Sequence, residues 1–273
     1  MLTASELMRR PDAIVLDCRF SLADPGAGEQ AWREGHIPGA HYLHLERDLS
    51  GPVATHGGRH PLPDPAALAT RLAALGIGRD SEVVVYDDQR FAFAARCWWL
   101  LRALGYRPPA LLDGGYAAWL AAGGAVESAA AASADTATRA CAVPAVEDYR
   151  GVCDREQLIA LQAQSATLVD AREERRYLGL EEPIDPVAGH IPGALNRPWQ
   201  AVTDAAGFLR SDAELRAHFG ELLERKPLVA YCGSGVTACV NLYALDRLGR
   251  GDALLYPGSW SDWCSYLDSE GGG

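Results

Sequence analysis

The feature that most constrains this chain is that it repeats itself. Gly35-His36-Ile37-Pro38-Gly39-Ala40 returns letter for letter at Gly189 to Ala194, and Leu16-Asp17-Cys18-Arg19 returns as Val169-Asp170-Ala171-Arg172. Further along, Val83-Val84-Val85-Tyr86-Asp87 is answered by Leu228-Val229-Ala230-Tyr231-Cys232, and Leu112-Asp113-Gly114-Gly115-Tyr116 to Trp119 by Tyr256-Pro257-Gly258-Ser259-Trp260 to Trp263. Four landmarks in the same order imply two copies of one domain. A chain of 273 residues is long enough for both copies to bury a core of their own.

Within each copy strand-like and helix-like segments alternate, which predicts an α/β fold: two tandem domains, each a mainly parallel sheet flanked by helices. Asp64 followed by Pro65 predicts a helix that ends at Gly76, and Ser211-Asp212-Ala213-Glu214 is a capping box ahead of an amphipathic run. Arg96 to Leu104 reads as a helix whose Trp98 and Trp99 serve core or interdomain packing. Between Gly123 and Gly151 the composition shifts to alanine, serine and threonine without periodicity. The expected division is therefore a first domain over 1–123, a linker over 124–150 and a second domain over 151–273, with the linker setting the copies face to face.

The copies differ at one turn. Pro227 to Tyr231 has the length and composition of a buried strand, and Val236 to Leu248 carries apolar residues at helical spacing up to Gly249, so Cys232 sits at a strand-to-helix turn. Gly233 and Gly235 let the backbone curl so that successive N–H groups face inward at the positive end of the following helix. Such a nest favours the thiolate form of Cys232 and makes it a nucleophile. The first copy has Asp87-Asp88-Gln89-Arg90 at this turn, with neither thiol nor glycines. Only the second copy can perform thiolate chemistry there, and the first is expected to supply one wall of the site. Cys18, Cys97, Cys141, Cys153, Cys239 and Cys264 lack a comparable nest, and no resolving disulfide between Cys239 and Cys232 is expected.

Composition narrows the setting. A formal charge of −11 with no basic block excludes nucleic acid and an anionic membrane surface as partners, and no apolar run is long enough to span a bilayer. Seven cysteines without disulfide-framework spacing, and no apolar signal core in the first ten residues, point to the reducing cytoplasm.

Three rival chemistries fit less well. A phosphatase loop of cysteine, five residues and arginine would need arginine where Ala238 stands. Gly233 to Ala238 also fits the dinucleotide-binding pattern G-x-G-x-x-A, with Asp252 placed to meet a ribose, but that module leaves the cysteine unexplained. His36, His41, His44, His56 and His60 show no recognised metal-ligand spacing.

Taken together, duplicated domains with a GHIPGA segment, a DxR at a strand end, a DGGYxAW segment and a CGSGVTAC loop in the second copy alone resemble the tandem rhodanese-type sulfurtransferases. The resemblance covers nearly the whole chain. It implies double-displacement chemistry in which Cys232 takes a sulfane sulfur from a small donor, becomes a persulfide and passes the outer sulfur to a thiophilic acceptor: cyanide, a small thiol, thioredoxin or another protein. Thiosulfate-using members carry cationic residues in the loop, whereas Gly233-Ser234-Gly235-Val236-Thr237 matches the mercaptopyruvate-using type, so 3-mercaptopyruvate is the expected donor and thiosulfate the runner-up. The resemblance further implies that Arg176 grips the donor's anionic end, that the backbone of Gly233, Gly235, Val236 and Thr237 holds sulfur charge, and that Ser234, His60 and Glu46 form a proton relay. Where this type often has a second arginine, the chain has Glu181-Glu182-Pro183-Ile184-Asp185. The reading calls for no metal or organic cofactor, and the intact loop speaks for an enzyme or a sulfur-relay carrier over a noncatalytic binding module. His36 and His190, and Asp170 with Arg172, are expected to hold the fold rather than act on substrate.

Overall fold

The computed structural model describes residues 1–129 and 140–270, with side chains described to 267. The chain divides into two compact units. The first comprises residues 1–50, 63–150 and 205–209, and the second 51–62, 151–204 and 210–273.

The first unit carries strands β1 (Ile14–Asp17), β2 (His41–Tyr42), β3 (Val83–Tyr86) and β4 (Ala110–Leu111), all parallel, in the order β2-β1-β3-β4. Its helices are α1 (Ala4–Leu7), α2 (Ala27–Glu34), α3 (Pro65–Ala74), α4 (Ala94–Ala103) and α5 (Gly115–Ala121). The second unit repeats the topology with β5 (Thr167–Asp170), β6 (Leu195–Asn196), β7 (Leu228–Tyr231) and β8 (Leu254–Leu255) in the order β6-β5-β7-β8. Its helices are α6 (Arg155–Ala163), α7 (Glu174–Tyr177), α8 (Asp212–Phe219), α9 (Ala238–Arg247) and α10 (Ser259–Glu270). The unbroken apolar strands β3 and β7 are interior to their sheets and are buried along their whole length, as parallel strands covered by helices require. Helix α4 packs on β3 and β4, and α9 on β7 and β8.

Local chemistry sets the helix ends where the sequence places them. Asp64 accepts the Ala67 N–H at 2.8 Å ahead of Pro65, and Ser211 and Glu214 form the reciprocal capping box of α8. Trp98 and Trp99 are buried, and Trp99 stacks on Tyr149 with ring centroids 6.0 Å apart, so packing inside the first unit accounts for it.

The repeated motifs are fold-holding devices used twice. Arg19 pairs with Asp17 at 2.6 Å and donates to the Gly35 carbonyl at 2.7 Å; Arg172 pairs with Asp170 at 2.7 Å and donates to the Gly189 carbonyl at 2.6 Å. His36 Nδ1 bonds the Trp32 carbonyl, and His190 Nδ1 the Tyr177 carbonyl. These bonds tie the C-terminal ends of β1 and β5 to the His-Ile-Pro-Gly turns, which explains why both copies carry them.

Two features depart from a simple division into consecutive domains. The segment 51–62, which lies inside the first copy in sequence, belongs to the second unit because its backbone and side chains bond there. Gly57 N–H donates to Asp262 Oδ1 at 2.7 Å, Arg59 N–H to Ser261 Oγ at 3.1 Å, and His56 stacks on Tyr266. The expected linker begins and ends against the first unit: Glu127 N–H bonds the His36 carbonyl and Arg150 N–H the Ala103 carbonyl, while 130–139 lie outside the described residues. Among the described residues no helix is long and apolar enough to cross a membrane.

Candidate active site

Strand β7 ends at Tyr231 and delivers Cys232, 1% exposed, to the C-terminal edge of the second sheet. The loop after it is pinned from below. Cys232 N–H donates to Ser259 Oγ at 3.1 Å, the Cys232 carbonyl accepts the Trp260 N–H at 3.0 Å, and the Gly233 carbonyl accepts the Ser261 N–H at 2.9 Å. Gly235 adopts φ +74°, and a Cβ there would lie 2.4 Å from the Pro257 carbonyl oxygen, so only glycine fits. The loop then enters α9 at Thr237, which makes no side-chain cap. The N–H groups of Gly233, Ser234, Val236 and Thr237 find no acceptor among the described residues, which leaves a row of donors at the positive end of a ten-residue helix.

The first copy shows what this turn does to an anion. Tyr86 pairs with Asp17 in β1 as Tyr231 pairs with Asp170 in β5, so Asp87 and Cys232 hold the same place in the fold. The buried Asp87 carboxylate accepts four backbone N–H groups, those of Gln89 at 2.9 Å, Phe91 at 3.0 Å, Phe93 at 2.9 Å and Ala94 at 2.9 Å. Burial pushes its pKa up from the ordinary value, and these four bonds pull the other way. The turn is therefore an anion cradle in this fold. The first copy fills it with its own carboxylate, whereas the second has Cys232 at that position.

Around Cys232 the structure assembles most of the residues expected from sequence. Ser234 Oγ and His60 Nδ1 share a hydrogen bond of 2.8 Å, and both residues are buried. Arg176, on α7, lies beside the loop: a Cβ on Gly233 would stand 3.4 Å from its Nη1. Arg175 instead points to solvent and pairs with the exposed Glu181, so the geometry separates the two neighbouring arginines. Glu46 belongs to the first unit, where it is exposed and its backbone N–H donates to His44 Nδ1 at 3.1 Å. Of the three residues expected to form a relay, the second unit thus brings together Ser234 and His60.

Arg59 was not among the expected site residues. Its Nη2 would lie 3.2 Å from a Cβ on Gly233, closer than Arg176, and its Nη1 ion-pairs with Asp185 Oδ1. Asp185 Oδ2 in turn pairs with Arg176 at 3.2 Å, and Arg176 with Glu182 at 2.6 Å. Two guanidiniums therefore flank the residue after the cysteine, one from α7 and one from the segment 51–62. The only sequence signal for Arg59 is its adjacency to His60; its role appears once that segment is known to fold onto the second unit. The other cysteines are free thiols: Cys239 Sγ donates to the Gly235 carbonyl at 3.4 Å, and burial pushes the Cys153 thiol up to about 12. Among the described residues no group of three or more His, Cys, Asp or Glu side chains is placed to hold a metal ion.

Comparisons with known proteins bear on the family and the fold. The profile of the rhodanese-like domain matches residues 3–122 and again 154–266. The chain is 49% identical to a probable 3-mercaptopyruvate sulfurtransferase of Pseudomonas aeruginosa, over 96% of this chain and 94% of that protein. It is 40% identical to a putative thiosulfate sulfurtransferase of Mycobacterium tuberculosis, over 97% and 94%. Among solved structures, the 3-mercaptopyruvate sulfurtransferase from Leishmania major superposes with a TM-score of 0.85 at 29% identity, covering 98% of this chain and 75% of that one. The Escherichia coli 3-mercaptopyruvate enzyme superposes with a TM-score of 0.76 at 31% identity, covering 96% and 98%.

Proposed function

We propose, from the premise that this chain belongs to the rhodanese-like domain family in two copies, that it is a sulfurtransferase working through a persulfide on Cys232. One observation carries the reading: Cys232 stands at the register where the first copy holds a buried carboxylate with four N–H donors. A thiolate placed there, and the persulfide anion it becomes, stand beside the open N–H groups of Gly233, Ser234, Val236 and Thr237.

The chemistry follows from the residues. Cys232 Sγ attacks the sulfur of 3-mercaptopyruvate; the S–S bond forms as the donor's C–S bond breaks, and its electron pair leaves as the enolate of pyruvate. Ser234 and His60, 2.8 Å apart, pass the proton released from the donor thiol to that enolate. Arg176 and Arg59 hold the carboxylate beside Gly233, and the open N–H groups of Gly233, Ser234, Val236 and Thr237 hold the sulfur's charge. An acceptor nucleophile, cyanide or a thiolate such as that of thioredoxin, then attacks the outer sulfur and restores the Cys232 thiolate. The neutral Gly-Ser-Gly loop favours 3-mercaptopyruvate over the thiosulfate dianion. Free thiols throughout suit a reducing cytoplasmic location.

Initial rates of thiocyanate formation from cyanide with each donor test the assignment. The expected result is a higher kcat/KM for 3-mercaptopyruvate; a higher value for thiosulfate would hand the role to that donor.

A further inference from the structure

The charges around the loop alternate along one connected chain: Asp170, Arg172, Glu182, Arg176, Asp185 and Arg59, each paired with the next. Three carboxylates match three guanidiniums, so the arginines reach Gly233 with their charge already balanced. The pivotal member is Asp185. Its side chain is 2% exposed and its two oxygens each take one of the two arginines that flank the loop. A buried carboxylate in this position is poorly screened by salt or solvent, so its charge is felt at the donor site. Arg59 shows the crowding: burial and the neighbouring Arg176 push its pKa down, while Cys232 and Glu182 pull it up.

We propose that Asp185 sets the donor preference of the Cys232 site, cancelling one unit of the positive charge that Arg59 and Arg176 bring to Gly233, so that a monoanionic donor is taken over a dianion. This deepens, and rests on, the reading of the two arginines as the donor's anchor. It also gives a role to the carboxylate found in the stretch where a further arginine was to be expected: Arg59 supplies the second guanidinium from elsewhere in the chain, and Asp185 sets how much of its charge a donor meets.

The test uses two variants of opposite sign. Asp185→Asn keeps the shape and adds one positive charge; Arg59→Gln removes one from a side chain 30% exposed. The kcat/KM ratio of thiosulfate to 3-mercaptopyruvate is expected to rise about tenfold in Asp185→Asn and to fall in Arg59→Gln. A ratio unchanged within twofold in both variants, or equal losses on both donors, would overturn the proposal. Equilibrium binding of thiosulfate and of pyruvate to Cys232→Ala, with and without Asp185→Asn, reads the same charge without turnover. There, a gain for thiosulfate relative to pyruvate supports the role of Asp185, and parallel changes refute it. If the wild-type protein forms no thiocyanate from either donor, the donor reading fails while the binding measurement still judges Asp185.

Discussion

Ser234 Oγ and His60 Nδ1 lie 2.8 Å apart although they are 174 positions apart in the chain, and both are buried. Their meeting depends on the segment 51–62 folding onto the second unit, where Gly57 and Arg59 bond the start of α10.

Ser234→Ala and His60→Asn are each expected to lower kcat with 3-mercaptopyruvate by about a hundredfold, the usual worth of a placed proton carrier. Thiosulfate should be affected far less, because its departing sulfite needs no proton. Steady-state kinetics with both donors checks this, and equal losses on the two would remove the pair from proton transfer.

Arg176→Lys keeps the charge and loses the planar fork. The expected outcome is a rise of about tenfold in KM for either donor with most of kcat retained, the mark of an anchor rather than a group acting on the reacting atoms. Arg175→Ala, at a side chain 63% exposed, should leave both parameters unchanged.

Gly235→Ala places a methyl group 2.4 Å from the Pro257 carbonyl oxygen at φ +74°. The backbone must shift, at a cost of about 2 kcal/mol or more. Thermal melting and sulfur transfer should fall together, since the loop that is strained is also the one that holds the sulfur.

Much of this architecture was legible in the sequence because duplication, buried apolar strands and capping residues act locally. Leu228 to Tyr231 reads as a buried strand from its composition alone, and Ser211 with Glu214 announces its helix. Cys232, Ser234 and Arg176 could be named because they sit in or near recognisable motifs. Arg59 could not, since nothing in Gly58-Arg59-His60 says that this segment leaves its own copy. Asp185 was visible only as a departure from an expected arginine, because its meaning lies in bridging two guanidiniums that reach it from different elements.

His218 gives the protein a pH dependence of its own. Burial first, then Arg197 and Arg210, hold its imidazole down at about 4. The native state therefore resists a proton that the unfolded chain accepts near pH 6.5, so this contribution to stability is whole above pH 6.5 and is lost as pH falls toward 4. Between pH 7 and 5, where most carboxylates stay ionised, His218→Phe should show a flatter fall in Tm than the wild type; identical slopes would exclude the residue.

The central claim is that Cys232 carries the transferred sulfur, and intact mass spectrometry after incubation with 3-mercaptopyruvate in the absence of acceptor tests it most directly. The wild-type protein is expected to gain one sulfur atom, which cyanide then removes, while Cys232→Ala gains none. Equal labelling of the variant, or a wild-type protein whose mass does not change with either 3-mercaptopyruvate or thiosulfate, would contradict the account.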